Sequence, residues 1–175
     1  DINFSDAAAT GAMTGLQMVG ASGAMLLAFI ALIAMVNGML EAGGAWFGIE
    51  QLTLERVLGG LLQPLAWALG IPWDEAQLAG SLIGQKFILN EFVAYVTYSE
   101  VAGQLSPHAQ AIVIFALCGF ANLSSIAILL GGLGAVAPGR RDDISRYGFR
   151  ALIAASLSNL MSAALAGFFL TLGAA

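Results

Sequence analysis

The 175-residue chain is 59% hydrophobic and only 10% charged, with six basic and eleven acidic residues for a net charge of −5. Soluble globular chains run at about 45–50% apolar and about 25% charged, so this is the composition of a membrane protein. Without a basic stripe it excludes a nucleic-acid binder, and one cysteine, Cys118, excludes an intrachain disulfide.

The charges are clumped: none falls in 7–40, 57–73, 101–139 or 151–175. A helix rises about 1.5 Å per residue and the hydrocarbon core is about 30 Å thick, so roughly 20 apolar residues cross it. Three of these windows are long enough. The chain begins at Asp1 without a basic leader, and no signal peptide is expected. Residues 3–17, rich in small side chains, read as a segment along the interface or leading into the first span, with Asn3 or Ser5 as its cap. The first span is 19–41, "VGASGAMLLAFIALIAMVNGMLE", and Trp46 and Phe47 beyond it suit the membrane–water boundary.

In 52–70 the leucines at 54, 58, 61, 62, 65 and 69 follow helical spacing, while Pro64 and two mid-segment glycines argue against a straight span. An amphipathic interfacial helix is expected there. Residues 73–104 start afresh after Pro72, with Asp74 and Glu75 in the first turn. Neither Glu75–Lys86 nor Glu91–Glu100 encloses enough apolar residues to cross alone. Two short helices entering and leaving by one face satisfy both lengths, a re-entrant hairpin with Gly84 supplying permissive backbone at its tip.

Ser106 and Pro107 open the next helix, 107–137, as cap and first-turn proline. Halfway along it Gly119, Asn122, Ser124 and Ser125 interrupt the apolar run, so a broken transmembrane helix is expected. The loop 138–150 holds Arg140, Arg141, Arg146 and Arg150, and 146–172 carries the last span. The positive-inside rule places that loop in the cytoplasm, which opens the hairpin from the outer face and leaves the C-terminus outside. The fold class is all-α and membrane-embedded: transmembrane helices, a re-entrant helical hairpin, an interfacial amphipathic helix and an unwound mid-membrane helix.

"GQKFILNEFVAYV" (84–96) places Gln85, Lys86, Asn90 and Glu91 inside an apolar segment. A charge at membrane depth costs at least about 2.5–3.5 kcal/mol on insertion scales. Glu91 either pairs with Lys86 to hold the hairpin tip, or accepts hydroxyl hydrogen bonds from a polar solute where discontinuous helices meet. Asn122 and Ser125, three apart, share a helix face. Asn122 alone serves equally as glue between helices or as a binding group; beside Phe120 and a second interrupted segment, the binding reading gains. In "SLSNLMSAALAG" (156–167) close helix packing is the stronger reading. His108 falls just after a cap, near the surface. No metal cluster, phosphate loop or catalytic triad is legible, so no enzyme is expected.

"GQKFILNEFVAY" and "CGFANLSSIAILLGGLG", together with "NFSDAAATGAMTGLQM" and "IPWDEAQLAGSLIGQK", resemble the C-terminal half of the concentrative nucleoside transporters, and the likeness covers essentially the whole chain. The resemblance implies a homotrimeric, cation-coupled symporter of the cell membrane that moves its nucleoside-binding domain like an elevator. It implies that Glu91, Asn122 and Ser125 hold the sugar and that Phe120 lines the pocket; Asn90, Lys86 and Gln85 are the candidates for a supporting role. The expected partners are nucleosides and membrane lipid, not nucleic acid. No cofactor or metal site is expected in this chain. The Na+ or H+ coupling ion and the nucleobase are read mainly by the other half of such transporters, whose Gln-Thr-Glu stretch this chain lacks. The competing reading is a membrane-embedded assembly subunit whose polar residues are helix glue, which predicts tolerance of Glu91→Gln and Asn122→Ala.

Overall fold

The computed structural model describes residues 3–126 and 138–173, and the described residues are helical without strands. Two units make up the chain, one ending at Gln51 and one beginning at Leu52.

The first unit is a single long helix, α1 (Phe4–Trp46). Asn3 caps it, its Oδ1 accepting the Asp6 amide at 2.9 Å. The segment 3–17, expected along the interface or as a lead-in, is continuous with the first span. The stretch "DAAATGAM" contains no proline and only one glycine, so nothing stops the helix. It ends where Gly48 takes a left-handed φ of +70° and Ile49 donates to the Gly44 carbonyl at 2.9 Å.

Among the described residues the second unit contains α2 (Leu54–Ala68), α3 (Trp73–Ile88), α4 (Glu91–Val101), α5 (Pro107–Leu117) and α6 (Arg141–Gly173), with a helical stretch at 123–126. The α2 helix starts on Thr53, whose hydroxyl accepts the Arg56 amide, and continues through Pro64. Its buried face, Leu58, Gly59 and Ala66, lies along α3. There the helices approach backbone to backbone. A Cβ on Gly80 would stand 2.9 Å from the Leu62 carbonyl carbon, and one on Gly59 2.7 Å from the Gln77 oxygen.

Gly84 belongs to this seam. It sits inside α3 with a would-be Cβ 2.8 Å from the Leu58 Cβ, so it is not the tip of the hairpin. The chain turns at Leu89 and Asn90 instead, where Asn90 can cap a new helix: its Oδ1 accepts the Val93 amide at 2.9 Å. A turn needs a residue that can take over a helix-start amide, and Asn90 supplies that group.

At the far end of the hairpin a 3-10 turn, Ala102–Gln104, leads to Ser106, which caps α5. Glu75 at the start of α3 accepts both the amide and the hydroxyl of Ser106, at 2.9 and 3.0 Å, closing the outer ends of α3 and α5 together. Ala79, Leu82, Ile83, Ala94, Ile112, Val113 and Ala163 form the core between α3, α4, α5 and α6. α5 and α6 meet at Gly167, where a Cβ would fall 2.6 Å from the Ile112 Cδ1.

The stretch 138–150 is not a loop throughout. After a 3-10 turn at Pro138–Arg140, α6 begins at Arg141 and runs through to Gly173. Asp142 and Asp143 in its first turn favour the positive end of the helix dipole, and Arg140 pairs with Asp143 at 2.6 Å. Ser145–Gly173 is, by length and composition, a helix that can cross a membrane. The expected second arm of the broken helix is described only at 123–126, and residues 127–137 lie outside the described residues.

Candidate functional site

Two interrupted segments meet in the second unit. One is the turn at Leu89–Asn90. The other is the break at 118–122, where α5 stops at Leu117 and helix resumes at 123–126. An asparagine opens the helix after each interruption. Asn122 Oδ1 accepts the Ser125 amide at 2.9 Å, while Ser125 Oγ accepts the Asn122 amide at 3.2 Å. This reciprocal pair has the logic of a capping box and fixes the start of the resumed helix. Ser124 adds a third bond, donating to Asn122 Oδ1 at 2.6 Å.

With its oxygen spent on this turn, Asn122 has its amide nitrogen left, and Nδ2 donates to Glu91 Oε2 at 2.8 Å. The contact joins the first residue of α4 to the cap of the resumed helix. Asn122 is fully buried (0% exposed), Ser125 nearly so, and Glu91 half-buried. Glu91 stands in the first turn of α4. An ionised carboxylate is an acceptor only. Among the described residues Oε1 of Glu91 carries no hydrogen bond, so acceptor capacity remains beside a rigidly held amide. Phe120 stands at the same break, 60% exposed, and its carbonyl lies 3.2 Å from Ser125 Oγ.

Lys86 and Gln85 are elsewhere. Lys86, fully buried, donates to the Ala116 carbonyl at 2.9 Å and to Asn159 Oδ1. Glu91 is bound to Asn122 instead, so the Lys86–Glu91 pair that the sequence leaves open is not the arrangement found. Gln85 ties the arms of the hairpin, accepting the Thr97 hydroxyl at 2.9 Å and donating to Ser81 at 3.3 Å. Glu91, Asn122 and Ser125 are therefore brought together with Phe120 alongside. Asn90 builds the local turn, Gln85 joins the two arms of the hairpin, and Lys86 reaches the end of α5.

Two residues escape a reading of the sequence alone. Asn159 looks like packing glue among serines, yet it reaches both Lys86 and, through Nδ2, the Phe115 carbonyl at 2.9 Å. Tyr95 donates to the Ile114 carbonyl at 3.0 Å. A buried lysine announces that partners exist, but one sequence does not say where.

The family model described as "Na+ dependent nucleoside transporter C-terminus" matches residues 1–167. This chain belongs to that family. It is 54% identical to the putative nucleoside permease NupX of Escherichia coli, over 95% of this chain and 41% of that permease. It is 48% identical to the nucleoside permease NupC of Helicobacter pylori, over 99% of this chain and 43% of that one. The structure of CNTnw in an inward-facing substrate-bound state superposes with a TM-score of 0.92 at 57% identity, covering 99% of this chain and 43% of that chain. The chain thus spans about two fifths of the length of these relatives. The family is one of membrane transporters, not enzymes.

Proposed function

We propose that this chain supplies the sugar-binding part of a cation-coupled nucleoside symporter. The observation that carries the reading is the 2.8 Å bond between Glu91 and Asn122. It sets a charged acceptor and an amide side by side where two interrupted helices begin, the kind of place where transporters bind solutes. A ribose offers adjacent hydroxyls that can donate to Glu91 while accepting from Asn122, with Ser125 holding the asparagine in register. Phe120, exposed at the break, offers an apolar face to the bound nucleoside. The base and the coupling ion fall to residues outside this chain, and the family description points to Na+ as that ion. The complete symporter would work as a homotrimer in the cell membrane by elevator motion of its substrate-binding domain. The start of α6, with Arg140, Arg146 and Arg150, would face the cytoplasm.

Glu91→Gln in the full-length transporter tests the reading. A hydrogen bond to a charged group contributes about 1.5–3 kcal/mol, roughly a tenfold to hundredfold change in affinity. Uridine affinity should fall by that factor, and affinity for a deoxyribonucleoside lacking the contacted hydroxyl should fall much less. Equal losses for both ligands, at matched folded fraction, would remove Glu91 from the sugar site.

A further inference from the structure

A helix that stops inside a membrane protein leaves its last carbonyls without intrahelical donors, and hydrocarbon offers no water to satisfy them. At the end of α5 the Cys118 amide reaches the Ile114 and Phe115 carbonyls at 3.1 and 3.3 Å, and side chains from three other elements add to this. Tyr95 of α4 donates to Ile114 O at 3.0 Å, Asn159 of α6 to Phe115 O at 2.9 Å, and Lys86 of α3 to Ala116 O at 2.9 Å. Three successive carbonyls receive three donors. The lysine also donates to Asn159 Oδ1, so two of the donors brace one another.

Lys86 is fully buried, and a cation placed so deep is tolerated only against strong acceptors. The carboxyl end of a helix is such an acceptor, since its carbonyls carry the negative end of the dipole. The room for this arrangement comes from Gly119. A Cβ there would lie 2.5 Å from both Cγ and Oδ1 of Asn159.

Resting on the sugar-site reading above, we infer that Lys86 is a positioning residue: with Asn159 and Tyr95 it fixes the end of α5 and thereby the break that presents Asn122 to Glu91. It does this from outside the pair, without touching Glu91 or Asn122 itself. Asn122 lies only six positions beyond Ala116, so freedom at the end of α5 passes directly into the placement of the asparagine.

Cys118 provides a readout that needs no nucleoside. It is exposed, unpaired in disulfides, and lies in the break itself with its sulfur 3.1 Å from the Tyr95 hydroxyl. In the full-length transporter, Lys86→Met removes the donor while keeping much of the length. Alkylation of Cys118, followed on its own peptide by mass spectrometry, should accelerate about tenfold, and uridine KM should rise by about the same factor with a smaller change in maximal rate. Lys86→Arg, which can still donate to carbonyls, should recover part of both. If Lys86→Met does not fold, Gly119→Ala perturbs the same brace from the side of Asn159 and should produce the same pair of changes.

Faster alkylation with unchanged uridine affinity would uphold the brace and defeat the sugar-site reading. Alkylation unchanged in the folded variants, whatever uridine does, would overturn the role of Lys86.

Discussion

The turn at Leu89–Asn90 and the break at 118–122 perform one task by different means. Each ends a helix and starts another on an asparagine cap, and the two starts meet through Glu91 and Asn122. At the turn the cap bond spans three residues, from Asn90 to Val93, and the preceding helix closes with Leu89 donating to Gln85 at 2.8 Å. At the break the resumed helix is also capped locally, but the helix that stops is held, besides the Cys118 amide, by Tyr95, Lys86 and Asn159, between 19 and 44 positions from the carbonyls they serve. The first interruption is built from its own neighbourhood, and the second is held open by the fold. A site made of both inherits the precision of each, and its weaker point is the one with remote supports.

The largest test of that contrast removes the cap on each side. Asn122→Ala deletes the donor to Glu91 and an oxygen that Ser124 and Ser125 use, all in a buried setting. It should cost about 2–3 kcal/mol of stability. Asn90→Ala deletes one cap bond and should cost about 1 kcal/mol. Thermal unfolding of the two full-length variants in detergent, without nucleoside, ranks them, and equal losses would mean that the two interruptions are built alike.

A finer test compares a glycine of the α2–α3 seam with the glycine at the break. At Gly80 a methyl group would meet the backbone of Leu62 and Gln63 at 2.9 and 3.0 Å, atoms that cannot step aside. Gly80→Ala should lower stability by about 1–3 kcal/mol through overpacking, and no change of neighbouring side chain should relieve it. At Gly119 the obstacle is the side chain of Asn159, which can swing away. Gly119→Ala should cost less stability than Gly80→Ala while disturbing the break more. A coupling energy near zero between Gly119→Ala and Asn159→Ala in a double-mutant cycle would contradict this picture, since residues in contact couple by about 0.5–3 kcal/mol.

Much of this architecture is local and therefore readable from residues alone. Composition announced the membrane, because a chain with so few charges cannot cover itself in water. Charge spacing around Lys86 and Glu91 called for short helices instead of a span, and Ser106–Pro107 announced the start of α5. Glu91, Asn122 and Ser125 were legible as a group because polar side chains in apolar runs are costly and need a reason. Family likeness then gave that group its expected ligand.

Other features depended on which surfaces came together. Gly84 reads as a tip because glycine frees the backbone, yet the same missing Cβ serves close packing against Leu58, and only the α2–α3 contact decides between the two. The arginine-rich stretch reads as a loop because it is polar, yet acidic residues at its start and good helix formers beyond let α6 run through it. Lys86 is the sharpest case. Its cost is visible in the sequence, but its partners, Ala116 and Asn159, are 30 and 73 residues away. Hydrogen bonds of that separation follow from how helices pack, and no local periodicity encodes them.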